Sequence, residues 1–280
     1  MILKRKLLES YKLLIIIPLI ITLLSLGILV THGLEESVDL KGGSITELTL
    51  EKKMDQTELK AFIQEKLKIK DVNVISIKGN DATVQMGSDI QVDEFARALE
   101  GTAKIKSYRS VGPILGKEAM NQIYWAVGFA FLFMSITVLI VFRNLVPSLA
   151  VILAAACDII IALGGMSLFK VPLSLASIGA ILMLIGYSVD TDILLTTRVL
   201  KQRKGKITER AIGAIKTGLT MSASAIASMS ALYLVTVFLI PEAEVLSNIA
   251  AVLIIGLSAD ILTTWLMNLG ILRWYLEAKS

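Results

Sequence analysis

The chain has 280 residues, of which 55% are hydrophobic and 19% charged, with a mean hydropathy of +0.72. A water-soluble domain carries nearer a quarter charged residues, so this composition excludes an ordinary soluble enzyme and points to a membrane protein. One cysteine, Cys157, and one histidine, His32, exclude a disulfide framework, a zinc cluster and Ser-His-Asp chemistry. No cofactor or metal is expected, and any proton chemistry falls to carboxylates. The net charge of +4 comes from Lys and Arg beside apolar runs, which speaks for membrane topology and against nucleic acid.

The first apolar run, Leu13 to Val30, follows Lys4, Arg5, Lys6 and Lys12. It is longer than the apolar region of a secretory signal, and no A-x-A-like site follows it, so it reads as an uncleaved anchor. From His32 to Gln122 the charges are spread throughout, as in a small soluble domain, and the elements alternate as β-α-β-β-α-β. Ile45 to Glu51 alternates as a strand. Asp55, with Glu58 three residues on, makes a capping box for a helix carrying Leu59, Phe62, Ile63 and Leu67 on one face. Val72 to Lys78 and Ala82 to Met86 form a hairpin around Gly79, Asn80 and Asp81. A second helix, Val92 to Leu99, points Val92, Phe95, Ala96 and Leu99 inward and stops at Gly101, and Ala103 to Val111 supplies the last strand. The fold class expected is an α-helical membrane protein of six spans, with a small α+β ferredoxin-like domain between spans one and two.

Five further spans are Ile123 to Phe142, Leu145 to Leu168, Val171 to Leu195, Ile212 to Leu239 and Val245 to Leu272. The domain reading is therefore residues 1–31 for the N-terminus and first span, 32–112 for the ferredoxin-like domain, and 113–280 for spans two to six. Arg143, Arg198, Lys201, Arg203, Lys204, Lys206, Arg210, Lys216, Arg273 and Lys279 all fall on the N-terminal side of the membrane. The other side has Lys170, the acidic turn of Glu242 and Glu244, and the large first loop. Lys and Arg in short loops stay in the cytoplasm, so both termini are expected there and the ferredoxin-like domain outside. Lys66, Lys68 and Lys70 on that domain read as a solvated charged face.

Four acids, Asp158, Asp190, Asp192 and Asp260, interrupt apolar membrane sequence, each at a cost of about 2.5 to 3.5 kcal/mol at mid-helix. They are the candidate proton relay. Gly179, Met183, Gly186 and Asp190 share one narrow face of span four, whose two glycines permit close helix packing. Asp192 lies about 200° round the same helix, so the pair cannot meet the same partner. Span three presents Val151, Ala154, Ala155, Asp158, Ala162 and Gly165 together. Span five carries the small row Ala223, Ala227 and Ala231, with Ser222, Ser224 and Ser228 as hydroxyls; both surfaces read as packing devices. Gly112 to Lys117 is one residue short of a phosphate-binding loop and has Glu118 where Ser or Thr belongs, so it reads as a turn before a helix. His32 reads as a solvent-exposed residue at a membrane boundary. No nucleophile, metal set or phosphate loop remains, and an enzyme is not expected.

Three short motifs then carry a resemblance. They are Val38-Asp39-Leu40-Lys41-Gly42-Gly43-Ser44 after span one, Val111-Gly112-Pro113-Ile114-Leu115-Gly116 before span two, and Gly186-Tyr187-Ser188-Val189-Asp190 with Arg198 in span four. In this order, within six spans, the chain resembles the SecD/SecF protein-export family, on the SecF side and in its archaeal form, within the resistance-nodulation-division type of membrane fold. The resemblance implies a prokaryotic cell-membrane protein paired with a SecD-like subunit beside a SecY-type channel. It also implies work on a translocating polypeptide at the outer face, among membrane lipids, with span-four acids coupled to the proton gradient. Asp190 matches the SecD acid; the bacterial SecF acid aligns with Thr191, and the arginine of bacterial SecF span five with Met221. Asp190 is thus expected to be the functional carboxylate, with Asp158 and Asp260 supporting it. A non-energised scaffold that holds emerging polypeptide, and half of a small-molecule exporter, are the alternative functions.

Overall fold

The structure is a computed structural model, and it describes residues 11–88, 90–201, 207–240 and 243–279. Lys4, Arg5, Lys6, Arg203, Lys204, Lys206 and Glu242, used above for topology, lie outside the described residues. The chain divides into two compact units, residues 36–125 and the remainder.

The smaller unit contains α2 (Val38–Lys41), β1 (Gly43–Leu50), α3 (Gln56–Leu67), β2 (Val72–Lys78), β3 (Asp81–Met86), α4 (Val92–Ala98) and β4 (Ala103–Val111). The strands form one antiparallel sheet in the order β2-β3-β1-β4, the ferredoxin-like arrangement expected from the sequence. The capping box forms at the start of α3, with the Asp55 amide donating to Glu58 Oε2 at 3.1 Å. Leu59 and Ile63 drop from α3 onto Leu48, Leu50, Val84 and Met86 of the sheet, and Phe95 and Leu99 close the core from the other helix. Each such fully buried side chain is worth about 1.5–3 kcal/mol relative to exposure. Val92 and Ala96 point outward instead: α4 is only seven residues long, and Phe95 with Leu99 already fills its inward face.

Two of the motifs have local reasons in this unit. Gly42 and Gly43 hold φ of +79° and +126°, and a Cβ at Gly43 would stand 2.3 Å from the Met86 carbonyl oxygen. Gly116 packs on the α2 backbone, where a Cβ would come 2.5 Å from the Leu40 carbonyl oxygen. The region read as a failed phosphate loop is thus a helix start whose glycine permits close packing.

Among the described residues, six helices are long and apolar enough to cross a membrane. They are α1 (Tyr11–His32), α5 (Pro113–Phe142), α6 (Leu145–Phe169), α7 (Leu175–Lys201), α8 (Ile207–Phe238) and a sixth span made of α9 (Glu244–Leu262), a π-helical segment Thr263–Asn268 and α10 (Leu269–Lys279). The helix of span two begins ten residues before the expected Ile123, because Pro113 can open a helix and nothing breaks it afterwards. Its polar first turns were not legible as membrane helix. The π-helical segment was not expected either.

In the larger unit the core is built by α6, α7 and the sixth span. Ala162, Met166, Ile181, Leu184, Val252 and Leu253 pack together there. Gly164 lets α1 approach α6 until a Cβ would lie 2.6 Å from Ser25 Cβ. Gly218 admits the Trp265 ring against α8 in the same way. His32 is exposed, as expected, beside the Thr31 hydroxyl.

Candidate functional site: a buried carboxylate cluster

On α7 the side chains of Ser188, Thr191, Asp192, Leu195, Thr196 and Val199 turn inward with helical period. Gly179, Met183, Gly186 and Asp190 turn outward on the opposite side. The four candidate acids therefore do not act as one group. Asp158 of α6, Asp192 of α7 and Asp260 of α9 come into the same buried region, and Asp190 stands apart on an exposed face.

Asp158 is 1% exposed and accepts a hydrogen bond from Ser188 Oγ at 2.5 Å and another from Thr263 Oγ1. Asp260 accepts from Thr191 Oγ1, at 2.9 and 3.1 Å to its two oxygens, and from Thr264 Oγ1 at 2.9 Å. Asp192 accepts from Asn268 Nδ2 at 2.6 Å. Each bond joins two of the three central spans except that of Thr264, which stays within the sixth. Among the described residues no Lys or Arg bonds any of the three acids.

The π-helical segment matters to this arrangement. Its wider turn supplies Thr263 to Asp158, and Asn268 to Asp192, while Thr264 serves Asp260. Widened turns of this kind occur often where a helix serves a site. Thr263, Thr264 and Asn268 were missed from the sequence, although polar residues three, four and eight places after a membrane aspartate are the signal that would have found them. Ser188 and Thr191, the neighbours of Asp190 in sequence, also turn out to be donors in the cluster.

Other expected positions are placed as follows. Tyr187 is half-buried against the core beside Leu184, Arg198 donates from Nη1 to the Gly213 carbonyl at 2.7 Å and to Thr217 Oγ1 at 3.0 Å, and Asp39 is half-buried on α2. Arg198 therefore ties the end of α7 to the start of α8 and does not reach an acid. The Ala223, Ala227 and Ala231 row faces outward within this chain, with Met221, so it packs nothing inside the unit; Ser222 alone of the three serines is buried. Val151, Ala154, Ala155 and Ala162 are buried around Asp158, as expected for a packing surface.

Fold and cluster together define a class, a multi-pass membrane protein made of one six-helix unit with a ferredoxin-like domain inserted after its first span. A crystal structure of SecDF from Thermus thermophilus, described as a translocon-associated membrane protein, matches with a TM-score of 0.76 at 21% identity, over 96% of this chain and 38% of that one. A heavy metal efflux pump matches at 0.51 and 12% identity, over 84% of this chain and 35% of that one. These likenesses are of fold, and the chain spans well under half the length of either solved chain.

The sequence comparisons are more particular. The family described as protein export membrane protein SecD/SecF, C-terminal, matches residues 91–278. The protein-export membrane protein SecF of Methanothermobacter thermautotrophicus is 70% identical over 275 residues, 98% of this chain and 96% of the relative. That of Methanocaldococcus jannaschii is 42% identical over 274 residues, 96% of both chains. The chain belongs to the SecD/SecF protein-export membrane protein family, on its SecF side, with archaeal relatives. Those relatives are named for a transport role, not an enzymatic one.

Proposed function

We propose that the chain is the SecF half of a two-chain export accessory, paired in the membrane with a SecD-like subunit beside a SecY-type channel. The observation that carries the pairing is the outward face of α7, where Asp190 stands exposed above Gly179 and Gly186. A Cβ added at either glycine meets no atom of another element within 4 Å. A carboxylate facing lipid is costly, and a small-residue face invites close helix packing, so a second six-helix half covering α7 answers both. That this chain matches little more than a third of a SecDF chain supports the same reading.

In this assembly both termini are cytoplasmic and the ferredoxin-like domain lies outside, where it meets the translocating polypeptide; the basic residues of the short loops support this orientation. Asp190, buried only once the partner is in place, is the carboxylate that couples export to the proton gradient. Asp158, Asp192 and Asp260 hold the three central spans in register behind it. The domain division of residues 1–31, 32–112 and 113–280 belongs to this proposal.

The test is export of a pulse-labelled reporter protein in cells whose only copy carries Asp190→Asn. The expected result is lost export with unchanged membrane abundance and unchanged association with the SecD-like chain. Normal export at equal abundance overturns the coupling role. It would favour a non-energised scaffold, a reading supported by Met221 standing where bacterial SecF carries arginine.

A further inference from the structure

Asp192 differs from the other two buried acids in how poorly it is satisfied. Asp158 and Asp260 each accept from two hydroxyl-bearing side chains, whereas Asp192 accepts a single bond from Asn268 Nδ2, on Oδ1. Its Oδ2 has no hydrogen-bond partner, although the residue is 0% exposed. The same holds for two oxygens beside it. Asn268 Oδ1, on the amide that grips the carboxylate, is without a partner, and so is Thr196 Oγ1, one helical turn along α7 on the same inward face. Both residues are 0% exposed.

Buried polar atoms are nearly always satisfied, so three unpartnered oxygens around one carboxylate require an explanation. The carboxylate and amide oxygens only accept, and the Thr196 hydroxyl accepts as well as donates. One amide N–H of Asn268 is already directed at Oδ1, and Arg198, on the same helix, is engaged with Gly213 and Thr217. Surplus acceptors around one negative charge are matched by a cation. Hard oxygens from carboxylate, amide and hydroxyl suit an alkali ion, and a single carboxylate is too little charge for the divalent ions that draw on several. Among the described residues no group of three or more His, Cys, Asp or Glu is placed to hold a metal ion, in keeping with a monovalent ligand.

We propose that Asp192 Oδ2, Asn268 Oδ1 and Thr196 Oγ1 form a binding site for a dehydrated monovalent cation of the size of sodium, between α7 and the π-helical segment of the sixth span. The site is distinct from Asp190, which faces the other way, and it does not depend on the export reading. The bound ion would neutralise the one buried carboxylate that hydroxyl donors leave incomplete, and would lock α7 to the sixth span.

The experiment is equilibrium binding of radioactive 22Na+ to the purified full chain in detergent, followed by scintillation proximity between pH 6 and 9. Saturable binding that unlabelled Na+ competes away is expected. Asp192→Asn should abolish it, and Thr196→Val, a nearly isosteric change, should weaken it at least tenfold in a chain of unchanged circular dichroism. Ser258→Ala, on the outward side of the sixth span, should bind as the wild type does. Absence of saturable binding across this pH range would assign Asp192 a proton instead and overturn the proposal, as would binding that Thr196→Val leaves unchanged.

Discussion

Asp190 and Asp192, two residues apart on α7, face opposite ways: Asp192 is wholly buried with Asn268 Nδ2 at 2.6 Å, and Asp190 is exposed. At about 100° per residue a helix forces this divergence, so one helix supplies an acid to its own bundle and presents another on its outer side. This division of α7 into two working faces separates substitutions that should disturb folding from those that should disturb assembly.

Gly186→Leu tests the outer face. Since a Cβ there meets nothing from another element within 4 Å, the isolated chain should keep its thermal midpoint, while co-purification with the SecD-like partner falls at least tenfold. Undiminished co-purification would move the interface away from this face of α7.

Gly164→Ala tests the inner packing of α1. The added methyl would sit 2.6 Å from Ser25 Cβ and 2.9 Å from its Cα, backbone that cannot step aside as a flexible side chain would. Overpacking of this kind costs about 1–3 kcal/mol, read as a lowered unfolding temperature in detergent. Gly27→Ala makes the control: no other element lies within 4 Å, and the change should leave the temperature the same or slightly higher.

Thr191→Val and Thr264→Val test the acid cluster. Each removes a hydroxyl that donates to Asp260 and leaves the carboxylate short of one partner, at a cost of about 1–3 kcal/mol. Because both serve one acid, the double variant should depart from the sum of the singles by at least about 0.5 kcal/mol. Strict additivity, measured by unfolding of the four chains, would mean that the two hydroxyls act independently of Asp260.

Much of the molecule was legible before folding. The capping box of Asp55 and Glu58, the hairpin at Gly79 and the alternating strands depend on neighbours within a few residues, and they form as written. Long apolar runs similarly announce six spans, because the hydrocarbon core demands about 20 apolar residues whatever the neighbouring helices do. Val92 and Ala96 show the limit. Their spacing fits an inward face, but a seven-residue helix over a full sheet had room for Phe95 and Leu99 only.

The sequence by itself determined the class of protein, the number of spans, the ferredoxin-like order of the inserted domain, and the angle between Asp190 and Asp192. Only the tertiary structure decided which of those acids turns inward, that Asp158, Asp192 and Asp260 gather, and that Thr263, Thr264 and Asn268 serve them. The physical reason is that helical geometry fixes relative directions along one helix, whereas a helix's rotation about its axis is set by the close packing of its neighbours. Here Leu184 of α7 packs so closely on Gly256 of α9 that a Cβ there would lie 2.3 Å from Leu184 Cδ2, and the widened turn at Thr263–Asn268 faces the inward side of α7.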